Sequence, residues 1–276
     1  MKIDAHQHFW QRSRGDYGWL TPELGPLWRD FLPPDLAPLT AAAGIERTIV
    51  VQAAPTLEET RYLLTLAARE PSIGGVVGWV PMLAPEAPSL IAGLARDPKF
   101  KGVRPMLQDL PDDNWIADPA LGPAVEALLA HDLAFDALIF ARHADALETF
   151  ATRFSPLRIV VDHGAKPPVR DGQAGWRPWA DSITRLARLP NIHCKLSGLA
   201  SEAAPAWTEA TLQPYVNHLL DAFGPARLIW GSDWPVLNLN GDYLVWHSVA
   251  NTLLASLSEA ERDGVFGANA RTFYRL

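Results

Sequence analysis

Short apolar, β-branched runs alternate along the chain with longer stretches in which apolar residues recur at helical spacing. This alternation is typical of repeated βα units around a parallel sheet. Eight runs predict strands, at residues 2–6, 47–52, 75–80, 102–106, 133–138, 158–162, 191–196 and 227–231. Eight further stretches predict helices, near residues 34–43, 56–70, 86–96, 119–130, 144–153, 178–188, 208–222 and 242–257. Because each predicted strand is followed by a helix, we expect a closed (β/α)8 TIM barrel of class α/β.

A doubly wound open sheet is the competing architecture. It would lead us to expect a Gly-rich phosphate-binding turn after the first strand, where this chain has only Ala, His, Gln, Phe and Trp at residues 5–10. The sequence shows no repeat or linker, so we expect a single domain over residues 1–276. Residues 9–33 form a connection long enough to be a lid or pocket wall, and residues 166–176 form a second long connection.

The composition and charge of the chain limit the kinds of molecule that it is expected to bind. The formal net charge is −7 and no Lys/Arg cluster is visible, which argues against nucleic acid and favours small molecules. Every apolar run is interrupted well before the roughly 20 residues that span a bilayer. A lone cysteine, Cys194, excludes an internal disulfide, and polar residues come too early for a signal peptide. We therefore expect a cytoplasmic protein, and homo-oligomerisation stays open.

The predicted strands end in polar side chains, which matters because the active site of a TIM barrel lies at the carboxyl ends of its strands. Residues at i and i+2 of a strand point to one face, with Cα atoms roughly 6.6 Å apart, so His6 and His8 converge on one point. The same alternation places Asp4 on the face of His6 and His8, and it places Asp233 on the same face as Ile229. If the face of Ile229 and Asp233 looks into the lumen, closure of the barrel brings Asp233 next to the two histidines. The polar strand ends are His6, His8, Gln52, Arg104, Asp136, His163, Lys195 with Ser197, and Asp233.

Other polar residues are interpreted as structural. Asp4 lies deeper than the histidines and is expected to be a buried hydrogen-bond acceptor. Cys194 has the opposite parity to Lys195, so it is expected to face the helices as an inert buried thiol. His143 opens a helix and is expected to cap it. The remaining histidines placed in this class are His131, His193, His218 and His247.

No covalent nucleophile is evident. A Gly-x-Ser-x-Gly turn is absent, and Ser232 lacks the flanking glycines. What remains is attack by water, with Asp233 as general base and imidazoles that polarise a carbonyl, with or without a metal ion. Eleven tryptophans exceed what such a core needs, so some are expected to line a pocket.

Six segments together resemble the amidohydrolase superfamily. The resemblance is to the branch that holds sugar lactonases, such as those for L-fuconolactone and L-rhamnonolactone, and pyrone dicarboxylate hydrolase. It runs from residue 2 to residue 274. The segments are DAHQHFW at 4–10, RDFLP at 29–33, KGVR at 101–104, VDHGAKP at 161–167, KLSGL at 195–199 and WGSDWP at 230–235.

This resemblance implies a distorted (β/α)8 barrel that hydrolyses a cyclic ester in carbohydrate metabolism, either a sugar-acid lactone such as L-fuconolactone or L-rhamnonolactone or a carboxylated lactone. It implies that His6 and His8 are the pair on strand one, that His163 is the histidine of strand six, and that Asp233 is the base on strand eight; these four are the predicted catalytic residues. The predicted substrate-binding residues are Arg104, Lys195, Trp79 and Trp234.

The resemblance also bears on metal content. Arg104 stands where the wider superfamily often has a bridging lysine, and no histidine ends strand five, so a two-metal site is not expected. Two alternatives stay open. Either one divalent ion such as Zn²⁺ binds His6, His8 and Asp233, with His163 the weaker candidate ligand, or no metal is needed and the histidines and Arg104 stabilise the oxyanion.

Two other functions stay open at this point. Relatives in the superfamily are metal-dependent decarboxylases with similar His and Asp sets, and product analysis separates release of carbon dioxide from formation of an acid. A non-catalytic sugar-acid binding protein is a third hypothesis, because tryptophans stack on sugar faces. It would require tight binding without turnover.

Overall fold

A computed structural model describes all 276 residues and has eight parallel strands in the order β1 to β8. The prediction of a parallel (β/α)8 barrel is confirmed, and each strand begins within two residues of its predicted start, although β4 ends three residues early, at Val103. None of the helices is long and apolar enough to cross a membrane. The strands are β1 Ile3–Gln7, β2 Arg47–Val51, β3 Ile73–Gly78, β4 Phe100–Val103, β5 Ala134–Ala137, β6 Ile159–Val161, β7 Ile192–Leu196 and β8 Leu228–Trp230.

The helices depart from the prediction in three places, of which the first is α7, a short unpredicted helix at Leu199–Glu202 after β7. The sixth predicted helix begins at Gln173 rather than near Pro178, which it holds in its interior, so the connection after β6 is shorter than expected and Trp176 is helical. The chain also continues past the predicted last helix into two short helices joined by a π-helical turn. The helices are α1 Pro33–Ala43, α2 Leu57–Arg69, α3 Ala87–Leu94, α4 Gly122–Ala130, α5 Ala144–Arg153, α6 Gln173–Leu186, α7 Leu199–Glu202, α8 Glu209–Phe223, α9 Tyr243–Leu253, α10 Glu259–Asp263 and α11 Asn269–Tyr274.

The first and last strands meet just beyond their ends. The amide of His8 donates to the carbonyl of Trp234 at 2.7 Å, and the amide of Asp233 donates to the carbonyl of His6 at 2.8 Å. These bonds join segments that are some 225 residues apart in sequence. They bring the His-x-His segment and the segment around Asp233 to one place.

A small apolar cluster fills the lower lumen of the barrel. Side chains of six strands pack there against α11, which contributes Ala270, Phe273 and Tyr274. The larger core lies between the strands and the surrounding helices and includes Cys194, as its parity predicts. The lumen is therefore closed at the end opposite the carboxyl ends of the strands, as in other packed barrels. The strand residues of the small apolar cluster are Ile3, Ala5, Ile49, Val51, Val77, Ala134, Val160 and Ile229.

The prediction that Asp4 shares a face with His6 and His8 is wrong. The register of β1 against β2 shifts between Asp4 and Gln7, so β1 carries a β-bulge there. Ala5 faces the lumen, and Asp4 points outward, where it accepts hydrogen bonds from the amide of Ser232 and the hydroxyl of Tyr243. The extra residue reverses the alternation, so His6 also reaches the lumen. The predicted role of Asp4 as a buried acceptor agrees with these contacts.

Residues 9–33 form a wall beside the cavity mouth. Trp10 is fully buried, pairs with Phe31 by backbone hydrogen bonds, and packs edge-on against its ring at 5.2 Å. Trp19 donates its indole N–H to the carbonyl of Ala53 at 2.7 Å, which fixes its ring at the cavity edge. This aromatic packing anchors the segment to the barrel.

Candidate active site

Three imidazoles surround one carboxylate at the carboxyl ends of the strands. Asp233 Oδ1 lies 3.3 Å from His8 Nε2 and 3.7 Å from both His6 Nε2 and His163 Nε2. The two Nε2 atoms of His6 and His8 are 3.2 Å apart. All four residues are nearly or fully buried, at 0 to 4% exposure. The structure thus brings together the four residues that the resemblance designates as catalytic.

The hydrogen bonds of His8 make this centre suitable for a cation. Nδ1 of His8 lies 2.8 Å from the carbonyl of Val51, which only accepts, so Nδ1 carries the proton. In neutral His8 the lone pair of Nε2 then faces an oxygen of Asp233 at 3.3 Å. Two acceptors at that distance require a proton or a metal ion between them.

The donor set fits a single divalent ion. Ligand atoms of a tetrahedral zinc site, at about 2.0–2.1 Å from the metal, stand about 3.3 Å apart, and the separations among His6, His8 and Asp233 are 3.2 to 3.7 Å. His6 Nδ1 lies 3.4 Å from a carboxylate oxygen of Asp162, which would orient the ring of a ligand histidine. His163, Asp162 and His6 form a second, overlapping group of potential ligands.

A left-handed turn positions His163. Four consecutive residues, His163 to Lys166, have positive φ between 50° and 59°. Such strain persists only where the surroundings impose it. The imidazole lies over Gly198, whose missing side chain makes room: a Cβ there would stand 2.7 Å from ring atoms of His163. Nδ1 of His163 pairs with the hydroxyl of Ser197 at 2.8 Å.

Burial and charge set the protonation of these groups. Burial alone would raise the pKa of Asp233, but His163, His8 and His6 hold it well below its usual range. Burial lowers the pKa of His163 to about 4. Burial and the nearby Lys195 ammonium lower the pKa of His6 well below its usual value. At neutral pH the centre therefore holds an ionised carboxylate beside neutral His6 and His163.

A buried ionic network supports the centre from below. Lys195 Nζ lies 2.5 Å from Asp136 and 3.0 Å from Asp162, and it donates to His6 Nδ1 at 3.1 Å. Tyr274 of α11 donates its hydroxyl to Asp136 at 2.8 Å. Burial raises the pKa of Asp136 to about 6. The network thus runs from the C-terminal helix up the lumen to the first histidine.

Asp162 is the central member of this network and was missed by sequence reasoning. It is fully buried between His6, Lys195 and Arg104, whose Nη1 lies 3.3 Å away. Burial opposes its ionisation, but Lys195, His6 and Arg104 keep its pKa well below the usual range. Its place beside His163 in the VDHGAKP segment was the available signal. Gln52 holds Arg104 by donating to its backbone carbonyl at 2.8 Å.

A cavity of about 340 Å³ opens above the centre. It is lined by His8, His163, Asp233 and Arg104, and by side chains that the sequence did not single out. Lys195 and Trp234 do not line it, which our prediction of direct substrate contact did not anticipate. Lys195 is fully buried beneath the cavity, and Trp234 packs on Phe31. The additional polar lining residues are Gln108, Asp109, Lys166, Ser201 and Glu202.

Trp79 lines a second, larger cavity of about 660 Å³. Trp19 and Trp115 line it too, and it shares Trp19, Met106 and Asp109 with the first cavity. Its walls are mostly apolar. Trp79 therefore lies beside the candidate active site rather than in it.

The histidines interpreted as structural lie outside the candidate active site. His143 accepts the amide hydrogen of Phe140 at 3.0 Å, in the turn that leads into α5. His193 packs on Phe273, and His218 bonds the carbonyl of Ala180. His131 ends α4, and His247 packs against Trp230.

Comparison with known proteins agrees with this geometry. The family model described as amidohydrolase matches residues 3–276. An L-fucono-1,5-lactonase of Burkholderia ambifaria is 52% identical over 100% of this chain and 96% of its own length. An L-fucono-1,5-lactonase of Burkholderia multivorans is 38% identical, also over 100% of this chain and 96% of its own length.

Solved structures show the same architecture. The crystal structure of an amidohydrolase from Burkholderia multivorans with bound zinc superposes with a TM-score of 0.95 at 36% identity, covering 100% of this chain and 99% of that one. Its zinc agrees with the capacity of His6, His8 and Asp233 to hold one divalent ion here. With its barrel, its His-x-His segment and the aspartate after its last strand, this chain belongs to the amidohydrolase family.

Proposed function

We infer that this protein hydrolyses the ring ester of a sugar-acid lactone, with Asp233 as the general base. The observation that carries this is the placement of Asp233 Oδ1 within 3.7 Å of three imidazole nitrogens at the base of a closed-ended cavity. Two relatives that align over the whole chain are L-fucono-1,5-lactonases, which supports a 1,5-lactone of a sugar acid as substrate.

Of the imidazoles, His163 is placed to bind the lactone carbonyl. If Ser197 donates its hydroxyl hydrogen to His163 Nδ1, the neutral ring carries its proton on Nε2 and donates it toward the cavity. Without a metal ion, Lys195 donates to His6 Nδ1, which leaves the proton of His6 on Nε2, where it faces the lone pair of His8 Nε2 at 3.2 Å. With an ion on Nε2, the proton of His6 would lie on Nδ1 and face Asp162. Donors aimed at the developing oxyanion in a water-poor site are strong electrostatic catalysts.

Asp233 would accept and return the proton of the attacking water. Its carboxylate is ionised and accepts a proton from the attacking water, then returns it to the ring oxygen as the ester bond breaks. Arg104 lines the same cavity and adds positive charge near the oxyanion. A divalent ion held by His6, His8 and Asp233, when bound, would polarise the carbonyl and make the water more acidic. The assignment of Asp233 holds with or without that ion.

The test is to replace Asp233 with Asn and assay a panel of aldonolactones with a pH indicator. We expect kcat to fall by about 10²- to 10⁴-fold, the usual contribution of a general base, with an unchanged circular dichroism spectrum. Turnover near that of the wild type would refute the assignment. Product analysis tests the reaction itself, because lactone hydrolysis yields only the acid whereas decarboxylation releases carbon dioxide.

A further inference from the structure

One wall of the catalytic cavity carries an ion pair that the proposed chemistry does not use. Lys166 Nζ lies 3.2 Å from Glu202 Oε1 and donates to Gln108 Oε1 at 3.0 Å. The side chains of Lys166 and Glu202 are 21% and 25% exposed. All three line the cavity that also contains His163 and Asp233. A ligand in this cavity would therefore contact them.

These groups keep unused hydrogen-bonding capacity. An ammonium group has three donors, of which Gln108 and Glu202 engage two on Lys166. Glu202 has a second carboxylate oxygen. Ser201, the preceding residue, lines the same cavity, and its hydroxyl oxygen is buried without a hydrogen-bond partner. A donor and an acceptor thus meet on one wall beside an unpartnered serine, which is a pattern that matches neighbouring hydroxyl groups of a ligand.

The charge balance of the cavity argues against an anionic ligand. Its lining cations are Arg104 and Lys166, and each already has a carboxylate partner, Asp162 for Arg104 and Glu202 for Lys166. The lining also includes the carboxylates of Asp109 and Asp233. No lining side-chain cation remains unpaired, so a carboxylate placed at this wall, away from any ion held by His6, His8 and Asp233, would meet net repulsion.

The wall is attached to the catalytic centre. Lys166 ends the left-handed turn that begins at His163, and Ser201 and Glu202 lie on α7, which follows Gly198 beneath the His163 ring. Because two rigidly held segments carry both the wall and the histidine, a ligand bound to the wall is placed at a fixed distance from the reacting centre.

We propose that Lys166, Ser201 and Glu202 form a subsite for two neighbouring hydroxyl groups, so that the cavity selects uncharged polyhydroxylated lactones over carboxylated ones. The proposal rests on the proposed function in that the cavity takes a lactone. The proposal goes beyond that function because it decides between the two lactone classes that the sequence left open. It also names the residues that discriminate between uncharged and carboxylated lactones.

The first experiment compares kcat/KM of the wild type, K166M, S201A and E202Q on an L-aldono-1,5-lactone and on δ-valerolactone, which has the ring ester without hydroxyls. We expect K166M to lower kcat/KM on the aldonolactone by about 10- to 100-fold, as for a lost hydrogen bond to a charged group. On δ-valerolactone we expect less than a threefold change. The exposed pair Glu58 and Arg61 on α2 supplies the control variants E58Q and R61M, which should match the wild type on both.

Equal losses on the two substrates would overturn the proposal, because they would mean that Lys166 only holds His163 in place. No loss on either would overturn it as well. The second experiment assays E202Q on a lactone bearing a carboxylate, where removal of one negative charge should raise kcat/KM at least threefold. A rate at or below that of the wild type counts against the charge argument.

If the wild type hydrolyses no lactone, the proposed function fails and the subsite is judged by binding alone. The probe is then the 1,5-lactam of the same sugar, measured by calorimetry. K166M should bind it at least tenfold more weakly than wild type and R61M. Equal affinities would refute the subsite.

Discussion

The Lys195 ammonium lies 3.1 Å from Nδ1 of His6, in a part of the barrel lumen where neither side chain is exposed to solvent. Two carboxylates, Asp136 and Asp162, compensate its charge. A buried ion is stable only when it is paired. Lys195 therefore supports His6 from below, and its removal would leave two buried carboxylates short of a cation.

We predict that K195M lowers the free energy of unfolding by about 3–5 kcal/mol, the usual cost of breaking a buried pair from one side. Denaturant unfolding followed by circular dichroism measures it. The control R61M removes an exposed partner of Glu58 and should change stability by less than about 0.5 kcal/mol. Equal stability of K195M and the wild type would show that water or protonation compensates the carboxylates.

Gly198 and Gly44 form a matched pair for testing how tightly His163 is held. Both have left-handed backbone, with φ of 68° and 69°, but a Cβ at Gly198 would stand 2.7 Å from the His163 ring, whereas nothing lies within 4 Å of one at Gly44. We predict that G44A costs only the backbone strain, about 1 kcal/mol. G198A should have the same cost in stability and should also lower kcat at least tenfold, because the His163 imidazole must move. Unfolding curves and lactone assays on both variants decide this, and similar activities would contradict it.

Burial of Asp4 predicts a pH-dependent difference in stability. Burial raises its pKa from about 3.8 to about 6 in the folded state, so the folded protein binds this proton more tightly than the unfolded chain. Its contribution to stability is therefore complete below pH 4 and is lost as the pH rises to 6, by about 3 kcal/mol in total. D4N removes this dependence, so the stability of D4N relative to the wild type should rise between pH 4 and 6. A difference that stays flat would show that Asp4 is not desolvated as the structure indicates.

Metal binding can be measured without an activity assay. Zinc should raise the melting temperature of wild-type protein, since a ligand at 100 times its Kd stabilises the folded state by about 2.7 kcal/mol. The shift should disappear in H8N and persist in H131N, whose histidine is exposed at the end of α4. Equal shifts in all three proteins would place the ion elsewhere. No shift in any would favour the metal-independent alternative.

The sequence determined the architecture because periodicity is a local property. Eight β-branched runs and the helical stretches between them are legible without any long-range contact, and so is the polar character of the strand ends at His6, His163 and Asp233. The prediction that barrel closure would bring Asp233 to the histidines needed only the order of the strands and the parallel sheet.

Only the tertiary structure decided what those side chains touch. The bulge in β1 turns Asp4 outward and His6 inward, and it depends on the register against β2, which residue alternation does not encode. The positions of Lys195 below the cavity and of Trp234 against Phe31 depend on depth in the barrel rather than on parity. Lys166 and Glu202 meet because a left-handed turn and a short helix converge on one wall. Such contacts are set by packing among distant segments, and a linear pattern of polar and apolar residues carries no information about them.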